Sequence, residues 1–133
     1  MQEAFTDKIA GLIKLLSFKE GLLNCEAELN KAYGHIDKGI KKTAERFISV
    51  FCEHALADTD YTEVQKDAVG YQSLADYIHT NNLSLPYIIK CITYFIWTDK
   101  VTEGYFINKI KDNSLITLLN RLDFLLKEHR QLC

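Results

Sequence analysis

The sequence contains little that would force the chain to turn. Its 133 residues include one proline, Pro86, and six glycines. Turn-rich sandwiches and barrels need many more breaks, so this scarcity favours long helices. No charge of one sign dominates: 16 basic residues face 18 acidic ones, for a net charge of −2. A field strong enough to draw the whole chain onto DNA, RNA or an anionic membrane is therefore lacking. The longest apolar run, Cys91 to Trp97, includes Thr93 and falls far short of the ~20 residues of a membrane span. No C-x-x-C joins the four cysteines, Cys25, Cys52, Cys91 and Cys133. Their wide spacing gives no metal site. G-x-S-x-G, P-loop, H-E-x-x-H and G-x-G-x-x-G patterns are all missing. The four histidines, His35, His54, His79 and His129, are scattered. No catalytic residue, metal or cofactor is expected on these grounds.

What is present describes one folded domain. Hydrophobic residues make up 47% and charged residues 26%, which sets the chain apart from disordered sequences. A chain of this length buries roughly 68% of its unfolded surface and holds a core without staples. Residues 1–133 are read as a single helical domain, with 57–72 the least periodic stretch and the expected mobile connection. The amino terminus, MQEAFTDKIAGLIKLL, is acidic before it is apolar and lacks the basic start of a secretory signal. A cytoplasmic location with reduced thiols is expected. Cys25, Cys52 and Cys91 fall within apolar patterns and read as small core residues, and Cys133 as an exposed terminal thiol.

The apolar spacing sets out the helices. Phe5, Ile9, Leu12, Ile13 and Leu16 give an amphipathic helix over 3–16. Ser17-Phe18-Lys19-Glu20 fits a capping box for a second helix, carrying Phe18, Leu22, Cys25 and Leu29 and ended by Gly34. Asp37 is placed to cap a third, whose stripe is Ile40, Ala44, Phe47, Ile48, Phe51 and Ala55. Thr62-Glu63-Val64-Gln65 opens a short helix ended by Gly70, and Leu74, Tyr77 and Ile78 mark another before the turn at Asn81-Asn82. Pro86 suits the first turn of a helix. Tyr87 to Trp97 is rich in strand-forming isoleucines and aromatics. Its length and the spacing of Ile88, Ile92 and Phe95 favour a helix buried nearly all round. A short helix near 102–111 and a leucine-striped helix from Ser114 complete the chain. The fold expected is all-α, an irregular single-domain bundle of six to eight helices around the helix near 86–98.

The stretch Thr93-Tyr94-Phe95-Ile96-Trp97-Thr98-Asp99-Lys100-Val101-Thr102-Glu103-Gly104, followed by NSLITLLNRL at Asn113 to Leu122, resembles a family of bacterial and phage-borne helical proteins. That family is a domain of unknown function with an I-R-x-x-R-F-x-x-G pattern and a leucine-rich R-L helix after it. Thr93, Ile96, Glu103, Gly104, Leu119, Arg121 and Leu122 match. Trp97, Lys100 and Val101 stand where the family has its two arginines and its phenylalanine, so an anion-binding role for those arginines does not transfer. The resemblance spans roughly residues 70–126. It implies a small helical domain and brings no activity.

Two surface clusters are candidate sites. The first is the polar junction Trp97, Asp99, Lys100, Glu103 and Gly104, where Lys100 and Glu103 are spaced to pair and Trp97 to anchor a partner. Its bland reading is an ordinary helix connection. The second is the basic set Lys38, Lys41, Lys42 and Arg46, which would face phosphates. Glu45 and Glu53 interrupt it and no aromatic is interleaved for base stacking, which favours a solvated helix face. The fifteen aromatics include Tyr33, Tyr61, Tyr71, Tyr87 and Tyr105 near element ends, where they cover the core edge or form a contact surface. The favoured function is a non-enzymatic protein-interaction module of bacterial or phage origin, binding a protein partner or forming a homodimer, with no membrane association. The alternatives are nucleic-acid binding through the 38–46 face, and a small enzyme with a pocket at 97–104.

Overall fold

Pro86 opens the helix that organises the molecule. In the computed structural model, which describes residues 2–31, 38–54 and 61–132, Ser84 sits ahead of it, and its hydroxyl accepts the Tyr87 N–H at 3.4 Å. Proline in the first turn forfeits no internal hydrogen bond. The helix continues from Leu85 to Val101. Ile88, Cys91, Ile92, Phe95 and Ile96 are buried along one broad stripe. Thr93 is buried as well, and its hydroxyl is satisfied by the Ile89 carbonyl at 2.8 Å. Tertiary burial has overridden strand propensity here.

Eight α-helices and one 3-10 turn make up the described residues, with no strand among them. They are α1 (Gln2–Leu16), α2 (Lys19–Leu29), α3 (Lys38–Glu53), α4 (Glu63–Asp67) with its 3-10 extension Ala68–Gly70, α5 (Leu74–Thr80), α6 (Leu85–Val101), α7 (Tyr105–Lys111) and α8 (Ser114–Leu132). The protein is an all-α bundle, as expected. Helix α6 packs against α4, α7 and α8, and α8 in turn touches α1, α2, α5 and α7. These two helices share the centre. No helix among the described residues is long and apolar enough to cross a membrane.

Four fully buried phenylalanines, Phe47, Phe51, Phe95 and Phe106, fill the core. Phe47 of α3 meets Phe18 edge-on and Phe106 of α7 at a tilt, each with ring centroids 5.8 Å apart. These contacts fix where α3 lies against α7. Polar joints pin the corners. Asn30 at the end of α2 donates to the Lys111 carbonyl at 3.0 Å, and Asn113 donates to Glu26 at 2.8 Å. Asn113 itself is left-handed at φ 71°, which asparagine tolerates better than most residues. Asp112 beside it accepts the Ser114 N–H that opens α8 and holds Lys109 at 3.0 Å.

Several local expectations change. Ser17 does not cap α2: its hydroxyl donates back to the Lys14 carbonyl, and Phe18 occupies the cap position without a side-chain bond. The serine closes the first helix rather than opening the second. Ile13 turns outward because the buried face of α1 runs through Gly11, Leu12 and Leu15. Cys52 is exposed, one position beyond the buried Val50 and Phe51. Tyr61 to Gln72 is described and largely helical. It is tied to α6 by the Lys90–Glu63 ion pair at 3.0 Å and by the Tyr87 hydroxyl, which donates to Asp67 at 2.6 Å. Burial, and then that bond to Asp67, push the Tyr87 phenol above its usual range. Gly34, Asp37, Ala55, residues 57–60 and Cys133 lie outside the described residues.

Burial pushes the Cys91 thiol up to about 12, with the negative field of Asp67 as a lesser cause. It therefore stays protonated and shielded at neutral pH. In a Cys133→Ser background, maleimide should label Cys52 rapidly in the native state and reach Cys25 and Cys91 only in denaturant. Truncating the central ring, Phe47→Ala, should cost about 3–5 kcal/mol in a urea titration. A loss under about 1 kcal/mol would mean that Phe47 does not hold α3 to α7.

Candidate functional site

The end of α6 builds the site. Its last turn closes when the Thr102 N–H reaches the Thr98 carbonyl at 2.8 Å. Gly104 then takes φ +87°, a left-handed conformation that reverses the chain into α7 and that residues with a Cβ adopt only under strain. Glycine has no side chain with which to cap α7. The cap comes from Asp99, one turn back on α6, whose Oδ1 accepts the Phe106 N–H at 3.0 Å. One carboxylate thus binds the end of α6 to the start of α7, where negative charge also suits the helix dipole.

This corner stands off from α3 and leaves an open groove of about 500 Å³. Lys41, Ala44, Glu45 and Ile48, at helical spacing, form the α3 wall. Asp99, Glu103, Gly104, Phe106 and Ile107 form the other. Ala44 and Phe106 are buried and Ile48 and Ile107 half-buried, so the floor is apolar. Lys41, Glu45 and Glu103 are exposed along the rim.

The structure divides the expected junction site. Asp99, Glu103 and Gly104 line the groove. Trp97 and Lys100 do not. Residues 97 and 99 lie about 200° apart around a helix of 3.6 residues per turn. Trp97 is 42% exposed on the outer side of α6, and Val101, one turn further, is 85% exposed. The Lys100 ammonium lies 3.8 Å from the Trp97 ring centre, a cation–π contact. Tyr61 stacks near Trp97 at 6.4 Å. The expected Lys100–Glu103 pair is not formed, because α6 ends at Val101 and Glu103 no longer follows the helical spacing that would bring it under Lys100.

The basic set is divided as well. Lys38, Lys41, Lys42 and Arg46 are all exposed on α3, but only Lys41 enters the groove, where Glu45 and Glu103 accompany it. In sequence the two clusters are separate, and Glu45, Ile48, Phe106 and Ile107 belong to neither candidate site. The one available signal was Ile48, at the edge of the α3 apolar stripe and next to charged positions.

Other candidate features are structural. Tyr71, Tyr77 and Tyr87 pack in a row, with centroids 4.9 and 6.0 Å apart, and Tyr105 meets Tyr94 edge-on at 6.0 Å. Burial, and then Tyr94, raise the Tyr105 phenol above its usual value. These rings cover the edge of the core; Tyr33 lies outside the described residues. In a cleft of about 150 Å³ between α5 and α8, Thr117 meets His79 at 3.0 Å, Asn81 donates to the Tyr77 carbonyl at 2.8 Å, and Arg121 donates to the Leu83 carbonyl at 3.0 Å. No group of three or more His, Cys, Asp or Glu among the described residues is arranged to hold a metal. Comparison with protein-family models, with curated proteins and with solved structures finds no match for the chain.

The Asp99 cap can be tested directly. Asp99→Ala should destabilise the domain by about 1 kcal/mol, while Asp99→Asn, which keeps an acceptor, should lose less. Equal losses in urea titrations of the two variants would show that the hydrogen bond contributes nothing.

Proposed function

We propose that this domain is a non-enzymatic protein-interaction module whose contact surface is the α3/α6–α7 groove and the adjoining end of α6. The observation that carries the reading is an open, apolar-floored groove with a charged rim; Trp97 and Val101 add exposed apolar area at the same helix end, on its outer side. Exposed apolar surface of this kind, rimmed by charge, is characteristic of binding sites. The groove walls carry no ready nucleophile. They present neither thiol, hydroxyl nor imidazole, and the Asp99 carboxylate is engaged in capping α7. Glu45 and Glu103 beside Lys41 likewise weigh against phosphate binding at this face. The bacterial or phage origin implied by the resemblance at Thr93–Leu122, and a cytoplasmic setting, belong to the same proposal.

A photocrosslinking amino acid placed at Lys41 or Val101, in the cells that encode the protein, should yield a discrete adduct with another polypeptide. The same group at Asn24 or Asn120, exposed on α2 and α8, should not. No adduct, or equal adducts from all four positions, would overturn the proposal.

A further inference from the structure

The charge of the groove says what the partner brings to it. Three carboxylates, Glu45, Glu103 and Asp99, line it against the single ammonium of Lys41. Glu45 and Glu103 stand on opposite walls, one on α3 and one at the α6–α7 corner. Between them lies the apolar floor of Ala44, Ile48, Phe106 and Ile107. Among the described residues, no ion pair occupies either glutamate. The groove therefore combines apolar walls below with carboxylates on both sides of its mouth.

That combination matches one kind of side chain. Arginine and lysine have a long aliphatic stem that packs on apolar surface and a cationic head that stays at the rim. A guanidinium or ammonium held by carboxylates from two walls forms charge-assisted hydrogen bonds, about twice as strong as neutral ones. The α3 wall from Lys41 to Ile48 is about 10 Å long at 1.5 Å per residue, room for a short peptide segment rather than an extended helix. Resting on the interaction-module reading, we infer that the groove recognises a partner segment presenting an arginine or lysine flanked by apolar residues. Lys41 at the same rim disfavours a second basic residue beside the first, which limits binding by generally polybasic chains.

The test is selection of a displayed random twelve-residue peptide library on the intact protein. The expected outcome is enrichment of peptides with one basic residue among apolar ones. Their affinity should fall at least tenfold in the Glu45→Lys/Glu103→Lys variant, and remain within twofold of the parent in Lys42→Glu, on the outer side of α3. All three positions are exposed, so circular dichroism should be unchanged. Acidic or purely apolar consensus peptides that still crosslink at Lys41 would overturn this inference and leave the interaction module standing. So would binding that the glutamate reversal leaves intact. Competition by free arginine at micromolar concentration would point to a small-cation pocket, and a dimer dispersed by Glu103→Lys to a second copy as occupant. Either result overturns the peptide assignment. No enrichment, together with no adduct at Lys41 or Val101, would remove both readings.

Discussion

The hydrogen bond from the Phe106 N–H to Asp99 is the interaction on which the rest of the surface depends. It ties the last turn of α6 to the first turn of α7 across the left-handed turn at Gly104. A helix start without a side-chain cap leaves backbone N–H groups unsatisfied. Here the residue in the cap position is a glycine, required by its positive φ, so the acceptor must come from elsewhere. Asp99 supplies it from the preceding helix. The arrangement couples a left-handed turn to a cap drawn from the preceding helix.

Phe106 carries that constraint into the core. Its N–H is held by Asp99 while its ring packs against Phe47 of α3. The next residue, Ile107, faces the opening. A single backbone step thus separates the contact that draws α3 and α7 together from the residue that lines the space between them. The groove exists because aromatic packing at Phe47 holds the helices at a separation that their smaller neighbours, Ala44 and Ile48, do not fill. Filling it with larger side chains would add burial, but it would also have to displace the charged rim.

The helices were legible in the sequence wherever burial is periodic. The stripes of α3, α6 and α8 follow directly from apolar spacing, and Pro86 marks the start of α6. The backbone demand at Gly104 was also readable, since a glycine after a polar turn is a common sign of positive φ. The role of Asp99 was not, because it depends on where α6 ends, and Thr98–Val101 resembles a connection while forming the last helical turn. Ser17 was misread for a related reason: a serine between two helices satisfies the pattern of a cap for the second and the chemistry of a terminator for the first. The site was half legible. Asp99, Glu103 and Gly104 could be named, but their partners Glu45 and Ile48 lie more than fifty residues away in sequence, and tertiary packing that includes the Phe47–Phe106 contact brings them close.

The division of labour in the groove follows from where its charges sit. Glu45 and Glu103 are exposed before anything binds, so a cation reaching them does not first have to displace an internal partner. At such a position the attraction is screened by salt and each pair contributes modestly. Rim charges act chiefly on encounter rate and on the choice among partners. For the partner proposed above, residence time would come from the floor, where Ile48, Phe106 and Ile107 offer apolar area. A partner that satisfied only the rim would arrive quickly and leave quickly, and one that satisfied only the floor would bind without discrimination. The two demands meet in a single flexible side chain that is apolar along its stem and cationic at its tip, held in place by the apolar residues around it.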